Sequence, residues 1–235
     1  MILKYNEFIS SRSKERNQID EIFQDDDLSV YHWDVNNIDP IAFDSIFKIE
    51  EISDSTLKRM TGNSYPEGCE VSIHDLRYLF IPHYDGKGAI RIGELVCHQD
   101  VADEFMYLFK ELFRNRFPIE RMELIDNFGG DDIRSMESNN TSAFNYRVIS
   151  GTDKLSRHAF GMAIDINPLY NPCVRGESIS PESGKYYADR NRWYKYTLLK
   201  GDLVYKILHD KFGFSWGGDW ENCKDYQHYE KKSKK

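Results

Sequence analysis

The first sustained pattern of apolar positions begins at Val71. Val71, Ile73, Leu76, Tyr78 and Phe80 recur at near-alternate positions and predict extended chain, ended by Pro82. Asp85-Gly86-Lys87-Gly88 reads as a turn, and Ile90, Ile92, Leu95 and Val96 supply the returning strand of a hairpin. After Asp100, placed to cap it, the period lengthens. Val101, Phe105, Leu108, Phe109, Leu112 and Phe113 fall at helical spacing, and Pro118 closes that element. A short strand is expected over residues 122–125, then a loop at Phe128-Gly129-Gly130. Phe144, Tyr146 and Val148 alternate, which sends Arg147 to the other face of a strand. Residues 161–167 read as another strand, with Met162, Ile164 and Ile166 on one face and Ala163 and Asp165 on the other. A long loop punctuated by Pro168, Pro172, Gly176, Pro181 and Gly184 leads to a helix over Leu203, Val204, Ile207 and Leu208. Residues 214–229 form the last expected ordered stretch.

The lead-in is different. Residues 1–66 are polar and acidic, with a turn at Asp39-Pro40 and a Ser53-Asp54-Ser55-Thr56 cap for a short helix over 57–60. They read as an arm or cap, 67–230 as the main domain, and 231–235 as a frayed basic tail. Strands outnumber helices and do not alternate with them regularly. The expected class is therefore α+β, a mainly antiparallel sheet with flanking helices, rather than a doubly wound fold.

Composition narrows the function classes. The 235 residues carry 31 Lys plus Arg against 39 Asp plus Glu, a net charge of −8, which argues against wrapping nucleic acid through many phosphate contacts. No apolar stretch reaches the ~18 residues that a membrane span needs. The N-terminal sequence shows no continuous apolar core of a secretory signal. Cys69, Cys97, Cys173 and Cys223 have no CxxC spacing, so a Cys-rich zinc site is excluded, and free thiols are favoured over two disulfides. A monomer is expected.

Ser156-Arg-His158-Ala-Phe-Gly161-Met-Ala163-Ile-Asp165 is the segment richest in chemistry. His158 stands in a loop before a strand, and Asp165 lies on the strand face away from three large apolar residues. Together they form half of a zinc site. On spacing alone the favoured reading is a surface histidine and a hydrogen-bonded aspartate. Asp225-Tyr-Gln-His228-Tyr229-Glu230 offers His228 as a third ligand and Asp225 as a general base. Arg147 reads alone as a salt-bridged strand residue. Trp216 and Trp220, around Gly217-Gly218-Asp219, suit either a cleft wall or a tight turn in the core. Asn139-Asn140-Thr141-Ser142 matches a glycosylation sequon, a short pattern common by chance. Arg190 and Arg192 could meet a substrate carboxylate or be surface residues. His74, His83, His98 and His209 have no partners at ligand spacing.

Ser156-x-His158-x-x-Gly161-x-Ala163-x-Asp165, followed by Asp225-x-x-His228, resembles the zinc D-alanyl-D-alanine carboxypeptidase family. That family includes the vancomycin-resistance D,D-peptidases and the L-alanyl-D-glutamate endopeptidases of phage lysins. The fit extends through Asn139–Arg147, Ala163-Ile-Asp-Ile-Asn-Pro168 and Trp216-Gly-Gly-Asp-Trp220, and covers residues 70 to 230. The resemblance implies a hedgehog/D,D-peptidase-like zinc fold and a peptidase acting on peptidoglycan stem peptides. It implies His158, Asp165 and His228 as zinc ligands, Asp225 as catalytic acid/base and Arg147 as support for the developing oxyanion. Ser156, Trp216 and Trp220 are then expected near substrate. Tyr229 departs from the Phe that commonly follows the last His. Carboxypeptidase action leads, with endopeptidase action or a catalytically silent zinc-containing module as alternatives. The substrate class suggests the cell envelope or secretion, against the lack of a visible signal.

Overall fold

The computed structural model describes residues 40–192 and 194–232, and the expectations for residues 1–39 and 233–235 lie outside them. The chain divides after Tyr31, and the described residues all belong to the unit His32–Lys235. It is α+β. Among the described residues there are three three-stranded sheets, and every named strand pair is antiparallel.

The chain enters through α1 (Pro40–Ser45) and strand β1 (Lys48–Glu51), then α2 (Asp54–Met60), which Ser53 caps by accepting from the Thr56 N–H. β1 pairs with β2 (Leu76–Tyr84), which pairs with β3 (Ile90–His98) across the turn at residues 85–89. The segment expected as an arm thus gives the first sheet an edge strand. β2 continues past Pro82, contrary to the expected stop. β1 pairs only as far as Phe80, so the missing N–H of Pro82 costs no bond to that strand.

Helix α3 (Gln99–Arg114) buries Val101, Phe105, Leu108, Phe109 and Leu112, as its spacing demands. Its cap is His98, whose Nδ1 accepts from the Asp100 N–H at 3.1 Å; Asp100 itself lies in the first turn. The 122–125 strand does not form. The Asn140 side-chain amide takes the place of a neighbouring strand, accepting from Glu123 N (2.8 Å) and donating to Glu123 O (3.0 Å). The chain passes instead into a 3₁₀ turn, Ile125–Phe128, and helix α4 (Asp132–Glu137). Residues 144–148 are extended but belong to no strand, because successive N–H groups go to separate partners: Phe144 to Val96, Asn145 to His158, Tyr146 to Ser64.

The 161–167 strand shortens to β4 (Ala163–Asp165), bounded by left-handed Gly161 (φ 64°) and Asn167 (φ 46°). The long loop contains a small hairpin, β5 (Cys173–Arg175) and β6 (Ser178–Ser180). A short helix, α5 (Leu203–Tyr205), continues as π-helical turns over Lys206–Lys211. β7 (Ser215–Trp216), β8 (Lys224–Asp225) and β9 (His228–Glu230) complete the sheets β4-β9-β7 and β6-β5-β8. Lys231, expected in the frayed tail, is tied down. Its ammonium meets Glu104 at 2.6 Å and its N–H bonds to Met162 O. One apolar core joins α3, the hairpin, Met162, Ile164, Ile166, Phe214, Trp216 and Tyr229. All four cysteines are free, and Asn139 and Asn140 are buried, which rules out use of the sequon in this fold. No helix among the described residues is long and apolar enough to cross a membrane.

Candidate metal centre

Strand register builds the centre. In the β4–β9 pair Asp165 stands directly opposite His228, so the two side chains project from adjacent strands on one face. The other face of β4 carries Ile164, wholly buried in the core, which fixes the register. His158 arrives from the 3₁₀ turn Arg157–Phe160. Ser156 opens that turn, its Oγ accepting from the His158 N–H at 3.3 Å, and Gly161 closes it in the left-handed region. A Cβ on Gly161 would lie 2.5 Å from His98 N, so glycine lets this turn press against the end of β3.

His158, Asp165 and His228 are each at most 6% exposed, and one ligand atom from each lies within 4.8 Å of the others. His158 Nε2 is 3.1 Å from His228 Nδ1 and 3.2 Å from Asp165 Oδ2; His228 Nδ1 is 2.9 Å from Asp165 Oδ1. The outer ring nitrogens are occupied. His158 Nδ1 lies 2.6 Å from the Ala143 carbonyl and therefore donates to it, leaving Nε2 to face the cluster. His228 Nε2 lies 3.2 Å from Glu230 Oε2, leaving Nδ1 to face inward. Two imidazoles and a carboxylate, each imidazole fixed from behind by an acceptor, match what a tetrahedral divalent metal requires, with one position open. Burial disfavours charge on Asp165, yet His158 and His228 outweigh it and hold its carboxyl below the usual range. Burial likewise opposes a charged His228, but its bonds to Asp165 and Glu230 push the imidazole up to about 10.

Asp225 comes from the neighbouring sheet, where β8 pairs with β5 and sets Asp225 opposite Cys173. The residue as a whole is half-buried, but its Oδ1 is shielded and has no hydrogen-bond partner. Burial pushes this carboxyl up to about 6, while nearby His228 and His158 pull it down. A carboxyl near neutrality with a bare oxygen is chemically suited to take and return a proton. Gly217 makes room for it: a Cβ there would fall 2.4 Å from Asp225 O and 2.7 Å from Asp225 Cβ.

The remaining expected residues take varied places. Ser156 is buried in its capping bond. Trp216 lies in the core, its Nε1 donating to Tyr226 O at 3.0 Å. Trp220 is partly exposed, and its ring centroid is 5.4 Å from that of His228. Arg147 pairs with Asp132 at 2.6 Å, and its main-chain carbonyl accepts from Ser156 N. Arg190 is held inside the loop, bonded to the carbonyls of Tyr170 and Leu198 and stacked over Tyr226 at 4.3 Å. Arg192 is exposed beside Asp189. His83 is buried, and desolvation pushes its imidazole down to about 4. Sequence reasoning missed Glu230, Asp132 and the Ala143 carbonyl. Glu230 had a signal, since positions 228 and 230 share a face in any strand. Ala143 had none, because a backbone carbonyl is invisible to residue type.

The arrangement defines a buried site able to hold a metal near the Asp225 carboxyl. Residues 150–231 match the D-alanyl-D-alanine carboxypeptidase family, a metallopeptidase family, which bears out the resemblance over the stretch that holds all three candidate ligands and Asp225. No curated protein and no solved structure matches the chain.

Proposed function

We propose that this protein is a zinc peptidase of peptidoglycan stem peptides, removing a terminal D-alanine as a D-alanyl-D-alanine carboxypeptidase. The observation that carries the reading is a buried His158-Asp165-His228 donor set with the unpartnered Oδ1 of Asp225 in the adjoining sheet, all within the stretch that matches the family. In this reading the three residues hold zinc in a hedgehog/D,D-peptidase-like zinc fold. Zinc held there would supply Lewis-acid polarisation of the scissile carbonyl and would lower the pKa of a water molecule to about 7. Asp225 takes the proton of the attacking water at Oδ1 and returns it to the departing amine. Arg147 donates to the carbonyl oxygen as negative charge develops. Ser156 fixes the turn that aims His158, Trp220 walls the cleft beside His228, and Trp216 backs that wall.

The test is incubation of zinc-loaded protein with purified muropeptides and mass analysis of the products. Loss of one terminal D-alanine supports the proposal. Scission between the first two stem residues would replace it with L-alanyl-D-glutamate endopeptidase action, and no product despite bound zinc would replace it with a binding module. Asp225→Ala should keep zinc while turnover falls by about 10²–10⁴; near-full turnover in that variant removes Asp225 from its role.

A further inference from the structure

Arg147 is gripped on one edge and bare on another. Asp132 Oδ2 meets Nη2 at 2.6 Å, and the Val148 carbonyl lies 3.4 Å from Nη1. The third nitrogen, Nε, is buried without a partner. A shielded N–H donor left unmade is costly, so this guanidinium is held in place by the contacts on its other nitrogens rather than by Nε.

Asp132 is not a chance neighbour. Residues 145 and 147 point to the same loop, since the Asn145 amide donates to Gly130 O at 3.2 Å while Arg147 reaches Asp132. That loop is shaped by two left-handed glycines, Gly129 (φ 71°) and Gly130 (φ 74°), and by Asp131, which caps α4 through the Arg134 N–H. The same stretch of residues 142–147 borders the metal centre. Ser142 pairs with Asp165, Ala143 O holds His158 Nδ1, and Asn145 N bonds to His158 O. Arg147 is thus suspended between the α4 loop and the segment that positions His158.

We propose that Asp132 is a positioning residue: it locks the Arg147 guanidinium in the orientation from which it donates to the oxygen of a bound peptide carbonyl. The claim rests on the peptidase reading above and adds a residue to it. Asp132 touches no reacting atom. Its effect is exerted only through Arg147, so the two residues form one energetic unit.

The experiment is a double-mutant cycle on the zinc-loaded full chain with muropeptide substrate. Asp132→Ala should lower kcat about tenfold or more with KM nearly unchanged, since freeing a transition-state donor costs turnover rather than ground-state binding. Asp132→Asn, which keeps an oxygen for Nη2, should lose less. In an Arg147→Ala background Asp132→Ala should cost nothing further in kcat; an equal loss in both backgrounds overturns the proposal. A second readout needs no activity. In wild type the side-chain Nη signals of Arg147 should be split by hindered rotation in ¹⁵N NMR, and they should average in Asp132→Ala. Wild type that cleaves no muropeptide while showing the split signals sinks the peptidase reading but leaves the clamp; freely averaged signals in wild type sink the clamp itself.

Discussion

Helix α3 lays Val101, Phe105, Leu108, Phe109 and Leu112 over the β2–β3 hairpin, whose strands run nine residues each. The strands that carry Asp165, Asp225 and His228 run two or three residues. The first region is held by many apolar contacts, each replaceable at modest cost. The second leans on buried amides. Asn171 alone donates to Ile166 O, Asn167 O and Tyr196 O and accepts from Leu198 N at 2.8 Å. Asn167 reaches Pro118 O and Glu120 N, and Asn139 reaches Leu169 N. Amides impose direction where apolar packing imposes only proximity, and a site with four polar groups to aim needs direction.

Deleting a piece of each region tests this division. His158→Ala should abolish both zinc retention and turnover, because it removes one of three donors. Phe105→Ala should cost ~3–5 kcal/mol of stability, yet at a temperature well below its melting point it should bind zinc stoichiometrically and turn over normally. Metal content and kcat of the two variants, read together, decide the point. A Phe105→Ala protein that folds but fails to hold metal would mean that the apolar layer aims the ligands after all.

The next cut is into the amide scaffold. Asn171→Leu keeps roughly the volume but strands the Ile166 and Tyr196 carbonyls and the Leu198 N–H inside the fold, at ~1–3 kcal/mol for each group left unmade, while Asn167 O keeps the Tyr170 N–H. The expected result is a loss of stability as large as that of Phe105→Ala, accompanied by lost turnover even where the protein remains folded by circular dichroism. Normal kcat in the folded variant would show that the loop preceding β5 does not set Asp225.

These differences explain what the sequence disclosed. The α3 period, the hairpin turn and the inner face Met162-Ile164-Ile166 are legible because water drives each apolar residue to one side. His158, Asp165 and His228 stand out through the family resemblance, since their spacing alone favours a surface histidine and a hydrogen-bonded aspartate, and the structure brings the three together. The strand expected at 122–125 fails because Asn140 replaces a strand partner with a side chain, and alternation cannot register that. The extension of β2 through Pro82 depends on the length of β1, which is a tertiary fact. Ala143 O and the Asp132 contact to Arg147 are likewise products of the assembled chain.

A gentler perturbation tests placement without removing any functional group. A methyl at position 217 would sit 2.4 Å from Asp225 O and 2.7 Å from Asp225 Cβ. Asp225 must then move, while the β4–β9 pair that holds Asp165 and His228 need not. Gly217→Ala should therefore keep zinc and lose about 10- to 10²-fold in kcat, the scale of a misplacement of about 1 Å. Equal loss of metal affinity would show that the two sheets move together.

The smallest effect comes from protons rather than side chains. Without metal, burial opposes charge on His228, but Asp165 and Glu230 raise its pKa from 6.5 to about 10. A folded value above the unfolded one gives stability that is full below about 6.5 and is lost as pH rises through about 10. Asp225, raised by burial from 3.8 to about 6, contributes in the same direction and loses its contribution as pH rises through about 6. The metal-free protein should therefore lose part of its stability between roughly pH 4 and 10. A cation at Nδ1 must displace the proton that Asp165 and Glu230 hold on His228. Each proton so released makes apparent metal affinity rise about tenfold per pH unit. Competition against a chelator of known affinity at several pH values between about 6.5 and 8.5 measures that slope. A flat profile would mean that His228 is already neutral in the metal-free fold, and that its inward nitrogen is poised for a metal with no proton to expel.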